Sequence, residues 1–70
     1  MEIKERNEVW WDTTTEYKIS IDEKLQTIRI NENSNSMSFL ILKNGEWEDL
    51  DETTELGSII IKEWENGFFN

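Results

Sequence analysis

Residues 38–50 read SFLILKNGEWEDL. An apolar run, Phe39 to Leu42, reaches Asn44-Gly45, and Glu46 to Leu50 leads back out. Asn-Gly between strand-like runs predicts a two-residue type I′ hairpin, because that turn needs positive φ at both central residues. In this register Lys43 faces Glu46, Leu42 faces Trp47 and Phe39 meets Leu50, and each pairing is favourable. Residues 37–42 are apolar on both parities. That predicts a strand covered on both faces, and so a closed or two-layered sheet.

The remaining segments are read around that hairpin. Residues 1–12 alternate weakly and predict an edge strand, best defined over residues 8–12. Thr13-Thr14-Thr15-Glu16 matches a capping box superficially, but Tyr17, Ile19 and Ile21 then alternate with polar residues at period two, which is strand spacing. A turn at Glu23-Lys24 would set Ile21 against Gln26, Ile19 against Ile28 and Tyr17 against Ile30. It would also oppose Lys18 to Arg29, a mild like-charge conflict. The NENSNS stretch, residues 31–36, is a polar loop. Residues 51–57 suit about one helical turn, with Asp51 as N-cap and Gly57 at C′. Residues 58–65, SIIIKEWE, are expected to form a strand, with a turn at Asn66-Gly67 and Phe68-Phe69 folding back onto the sheet.

The fold expected is therefore all-β: one domain, residues 1–70, forming a small antiparallel sheet or barrel of five to six strands joined by short hairpins, with one helical turn near residues 51–57. The alternative is α+β, with that turn extended into a helix on one face. Seventy residues bury only a small core, which the four Trp and three Phe can fill with large rings.

The chain has no Cys and no His. A disulfide framework, a thiolate or imidazole metal site and the usual general base are thereby excluded. No Gly-rich phosphate loop or nucleophile elbow occurs, so no enzyme and no cofactor are expected. The opening residues, MEIKERNE, lack the apolar stretch of a secretory signal, and no run nears the roughly 18 apolar residues of a membrane span. A soluble cytoplasmic protein is the expectation.

Charge placement is the sharpest functional signal. Of a net charge of −9, residues 43–57 carry −5, from six carboxylates and one lysine. Such a surface disfavours DNA, RNA and acidic lipid, and points to a basic partner. Glu46, Glu48, Asp49, Asp51, Glu52 and Glu55, with Trp47 as anchor, are the candidate partner-binding residues. Side chains at alternate strand positions lie about 6.6–6.8 Å apart, close to the spacing of successive phosphates along a nucleic-acid strand. Carboxylates so placed suit the Lys/Arg sites that a nucleic-acid-binding enzyme reserves for phosphates. The plain alternative is a solvated, solubilising face. A calcium loop beginning at Asp49 fails, because Thr54 and Ile60 occupy the positions that an EF-hand gives to Gly and Glu.

Trp10-Trp11 and Phe68-Phe69 form the second signal. Neighbours on a strand point to opposite faces, so each pair offers one buried and one exposed ring, unless both faces are covered and all four rings are core. An exposed ring suits a protein partner or a second copy. In size, acidity and all-β pattern the chain is similar in kind to the small acidic inhibitors that phages direct against host restriction, CRISPR and DNA-repair enzymes. That likeness is one of class and aligns no residues. Two functions are expected from these features: an inhibitor of a basic, nucleic-acid-handling protein, or an assembly protein that self-associates through edge strands and exposed aromatics.

Overall fold

In the computed structural model, which describes residues 1–9, 13–32 and 36–69, the chain is mostly β: five antiparallel strands form one sheet, with one short helix. The strands are β1 (Glu2–Glu8), β2 (Thr14–Ile21), β3 (Lys24–Glu32), β4 (Met37–Lys43) and β5 (Glu46–Asp49), and the helix α1 spans Glu55–Glu65. Each strand pairs with its successor, giving the order β1-β2-β3-β4-β5. The sheet is open, with β1 and β5 as its edges.

The Asn44-Gly45 hairpin forms as the sequence predicts. Both residues have positive φ, Lys43 faces Glu46, Leu42 faces Trp47, and the Leu50 amide donates to the Phe39 carbonyl at 2.9 Å. The β2–β3 hairpin turns one residue earlier than expected, at Asp22-Glu23, where φ is 50° and 67°. Ile21 therefore faces Lys24, Ile19 faces Gln26 and Tyr17 faces Ile28. This register differs by two residues from the one expected, so every side chain keeps its face. Its electrostatic advantage is direct: Lys18 now faces Thr27, and Arg29 faces Glu16.

The N-terminal strand occupies Glu2–Glu8, ahead of residues 8–12 where it was expected to be clearest. Cross-strand charge favours that placement, since Lys18 on β2 pairs with Glu5 at 3.3 Å. The register shifts between Ile3 and Glu5, so Ile3 faces Ile19 and Arg6 faces Tyr17. The extra residue of this bulge brings positions of opposite parity to one face. Trp10 and Trp11 lie outside the described residues.

Residues 58–65 are helical, which corrects the expected strand. The run Ile59-Ile60-Ile61 has strand propensity, but packing overrides it. Leu56, Ile60 and Trp64, spaced by four, share a helix face; Ile60 is fully buried, and Leu56 and Trp64 pack beside it. Thr54, rather than Asp51, is the N-cap, its hydroxyl accepting from the Gly57 amide at 3.0 Å. Gly57 lies in the first turn instead of at C′. A Cβ there would stand 1.9 Å from the Asp51 carbonyl oxygen, so only Gly lets the helix start this close to the preceding loop. The other end is a Schellman motif: the Gly67 amide donates to Trp64 and the Phe68 amide to Glu63, both at 3.0 Å, with Gly67 at φ 81°.

That motif returns Phe69 to the sheet. Its ring meets Tyr17 edge-on at 4.9 Å, and the Tyr17 hydroxyl donates to the Phe69 carbonyl at 3.5 Å. Phe69 is buried while Phe68 is partly exposed, so this pair splits as one of its two readings anticipated. The core joins Tyr17, Ile19, Ile28, Ile30 and Ile41 from one sheet face to Ile60 and Phe69. Burying these branched and aromatic side chains supplies the main driving force, at about 1.5–3 kcal/mol each.

Candidate protein-binding surface

The predicted carboxylates divide between two places. Glu46, Glu48 and Asp49 belong to the edge strand β5, whereas Asp51, Glu52 and Glu55 line the connection into α1. All six are exposed and Trp47 is half-buried. Glu46 and Glu48, facing Lys43 and Ile41, share the face on which α1 packs; Trp47 and Asp49, facing Leu42 and Leu40, share the opposite face. The alternate-residue relation between Glu46 and Glu48 is thus realised on a strand, while Asp51 lies beyond the strand end and breaks the relation with Asp49.

Asp51 also has a local task. Its Oδ1 accepts from the Thr53 amide at 2.8 Å and the Thr53 hydroxyl at 2.6 Å, and its carbonyl accepts from the Thr54 hydroxyl at 2.7 Å. The hydrogen bonds from Thr53, side chain first and then backbone, hold the Asp51 carboxyl below the ordinary carboxylate range. Asp51 therefore shapes the loop that delivers Thr54 to the cap. Among the described residues, the other five carboxylates enter no ion pair.

The face opposite α1 holds residues that sequence reading did not connect. One cross-strand row runs Asn7, Glu16, Arg29, Leu40, Asp49. Arg29 lies at its centre, its Nε donating to Glu16 Oε1 at 3.0 Å and its guanidinium 4.3 Å from the Trp47 ring centre. The planar cation is thereby stacked on one side and paired on the other. Leu42 faces Trp47 across the β4–β5 hairpin, and Leu25, at 70% exposure, lies on the same face near the β2–β3 turn. The one available signal for Arg29 was the Glu16 to Arg29 opposition in the alternative hairpin register. Its contact with Trp47 spans three strands and has no local signature.

The expectation that β4 is covered on both faces is thus corrected. Phe39 and Ile41 meet the core under α1, but among the described residues no element lies over Leu40 and Leu42. Both are half-buried. No described helix is long and apolar enough to cross a membrane, and no cluster of described acidic residues is arranged to hold a metal ion. No protein-family model, curated protein or solved structure matches the chain significantly.

Proposed function

We propose that the chain is a small acidic protein-binding module that inhibits a basic, nucleic-acid-handling protein, in the manner of phage inhibitors of restriction or CRISPR enzymes. Its edge carboxylates occupy sites that the target reserves for phosphates, and Trp47, on the other face of the same strand, anchors the contact from that side. The observation carrying this reading is the placement of Glu46 and Glu48 on one side of an edge strand, exposed and, among the described residues, in no ion pair. Their separation, about 6.6–6.8 Å along a strand, suits adjacent phosphate-binding cations. Free carboxylates also give long-range attraction to a basic groove, so association is expected to be fast and strongly salt-dependent.

The test is affinity capture from bacterial lysate at low and high salt, using the native chain and a variant with Glu46, Glu48, Asp49, Glu52 and Glu55 changed to Gln or Asn. Asp51 is left intact, because it holds the loop before α1. The expected result is capture of a basic nucleic-acid enzyme by the native chain, loss of capture with the variant, and inhibition of that enzyme's activity by the native chain only. Identical capture by both chains would make the carboxylates a solubility feature. The second reading is self-association, favoured by the two open sheet edges, β1 and β5. It requires an oligomer whose mass persists at high salt.

A further inference from the structure

We infer that the sheet face opposite α1, centred on Leu40, Leu42 and Trp47, docks an apolar ridge flanked by lysines or arginines on a protein partner. The inference rests on the proposed inhibitor reading and adds an apolar contact on this face to the carboxylate contact of the same edge strand, whose Glu46 and Glu48 lie on the α1 side. Two independent features support it. The first is apolar: β4 carries large aliphatic side chains on both parities, yet α1 covers only the Phe39 and Ile41 side. Leu25 extends the uncovered side and is 70% exposed. An apolar sheet face without an internal cover is characteristic of a protein contact.

The second feature is electrostatic and selects the occupant. Lys18 and Arg29, the cations in the registered rows of this face, are already paired with Glu5 and Glu16 at 3.3 and 3.0 Å. Among the described residues, Asp49 on the face enters no ion pair, nor does Glu48 on the other side of the same edge strand, and Glu46 there faces Lys43 without forming one. Apolar surface bordered by unneutralised carboxylates complements apolar surface bordered by Lys or Arg. A second copy, itself at −9, would bring acidic edge against acidic edge. Arg29, held flat between Glu16 and Trp47, keeps the indole fixed in advance, so little ordering is needed on binding.

The test is a titration of the isotopically labelled chain, followed by amide and indole NMR shifts, with two peptides of equal length and charge. One is an amphipathic helix with a leucine stripe flanked by lysines; the other replaces the leucines by serines. The expected result is that the leucine peptide binds roughly tenfold or more tightly, shifting Thr27, Arg29, Leu40, Leu42 and the Trp47 indole. Leu25→Ser, at an exposed position that tolerates the change, is expected to weaken that binding, as is the five-carboxylate variant. Equal binding of both peptides, with shifts confined to residues 46–55, would overturn the docking face while leaving the carboxylate reading intact. Binding of neither peptide would overturn both. A dimer in sedimentation that Leu42→Ser dissociates would assign the face to a second copy and overturn the basic partner.

Discussion

Gly57→Ala exchanges the poorest helix former other than proline for the best, a gain of about 1 kcal/mol in an unconstrained helix. Here it is expected to destabilise the protein. The new Cβ would stand 1.9 Å from the Asp51 carbonyl oxygen and 2.7 Å from its carbon, both backbone atoms that no rotamer change can move aside. Relief requires α1 to retreat from the loop. That retreat strains the Thr54 cap, worth about 1 kcal/mol, and the bonds from the Thr54 amide and hydroxyl to Asp51, at 3.1 and 2.7 Å. Overpacking in comparable settings costs about 1–3 kcal/mol. Set against the propensity gain, the net loss is expected to be about 1–3 kcal/mol once the cap is included. For a domain of this size each kcal/mol lowers Tm by roughly 4–8 °C. Thermal melts followed by circular dichroism, with urea titrations at unchanged slope, measure it directly. Ser58→Ala, one residue along on the exposed side of α1, provides the control and is expected to be neutral or stabilising by a few tenths of a kcal/mol. A Gly57→Ala protein melting at or above the native temperature would refute the close approach of loop and helix.

Three further outcomes follow from the same geometry. Gly67→Ala places a side chain at φ 81° in the Schellman motif and is expected to cost about 1–2 kcal/mol, read from the urea midpoint; an unchanged midpoint would show that the motif is dispensable. Arg29→Ala removes a half-exposed ion pair and a stacked cation, together worth about 1 kcal/mol after solvent screening, and should alter Trp47 fluorescence, whereas Arg29→Lys should keep the charge and lose most of the stacking effect. Because Asp51 titrates below its unfolded value of about 3.9, its contribution is fully present above that value and is lost as pH falls through the lower folded value. Asp51→Asn should therefore be less stable than native at neutral pH, and the two should converge in strong acid; a difference independent of pH would place the effect outside the carboxylate.

The parts of this fold that could be read from sequence are those fixed by neighbours in the chain. Asn44-Gly45 determines its hairpin alone, because positive φ at two consecutive residues leaves one turn geometry. The period-two pattern of Tyr17, Ile19 and Ile21 fixes which face is buried, but two registers differing by two residues satisfy it equally. The observed register gains Glu16 against Arg29 and avoids Lys18 against Arg29. The helix was obscured because Ile59-Ile60-Ile61 has strand propensity and Lys62-Glu63-Trp64-Glu65 alternates. Its real markers were Leu56, Ile60 and Trp64 at spacing four, closed by Asn66-Gly67. At the candidate surface the acidic run was evident by counting, and Asp51-x-Thr53 is a recognisable turn signature that marked one of its members as structural. The uncovered face was not evident. Whether Leu40 and Leu42 have a cover depends on where α1 packs, and that is settled by contacts between distant parts of the chain.

The order of the sheet has a consequence for how the chain acquires its structure. Because every strand pairs with the one just before it, the sheet can zip forward from hairpin to hairpin without closing a long loop, and such local topology favours rapid folding. The last elements, α1 and Phe69, are also the ones that cover Tyr17, Ile19, Ile28, Ile30 and Ile41. Until they arrive, a nascent sheet has both faces bare and two open edges, and must depend on its carboxylates for protection against association. Removing α1 and Phe69 together would return the sheet to that condition, so their docking is the closing step of folding.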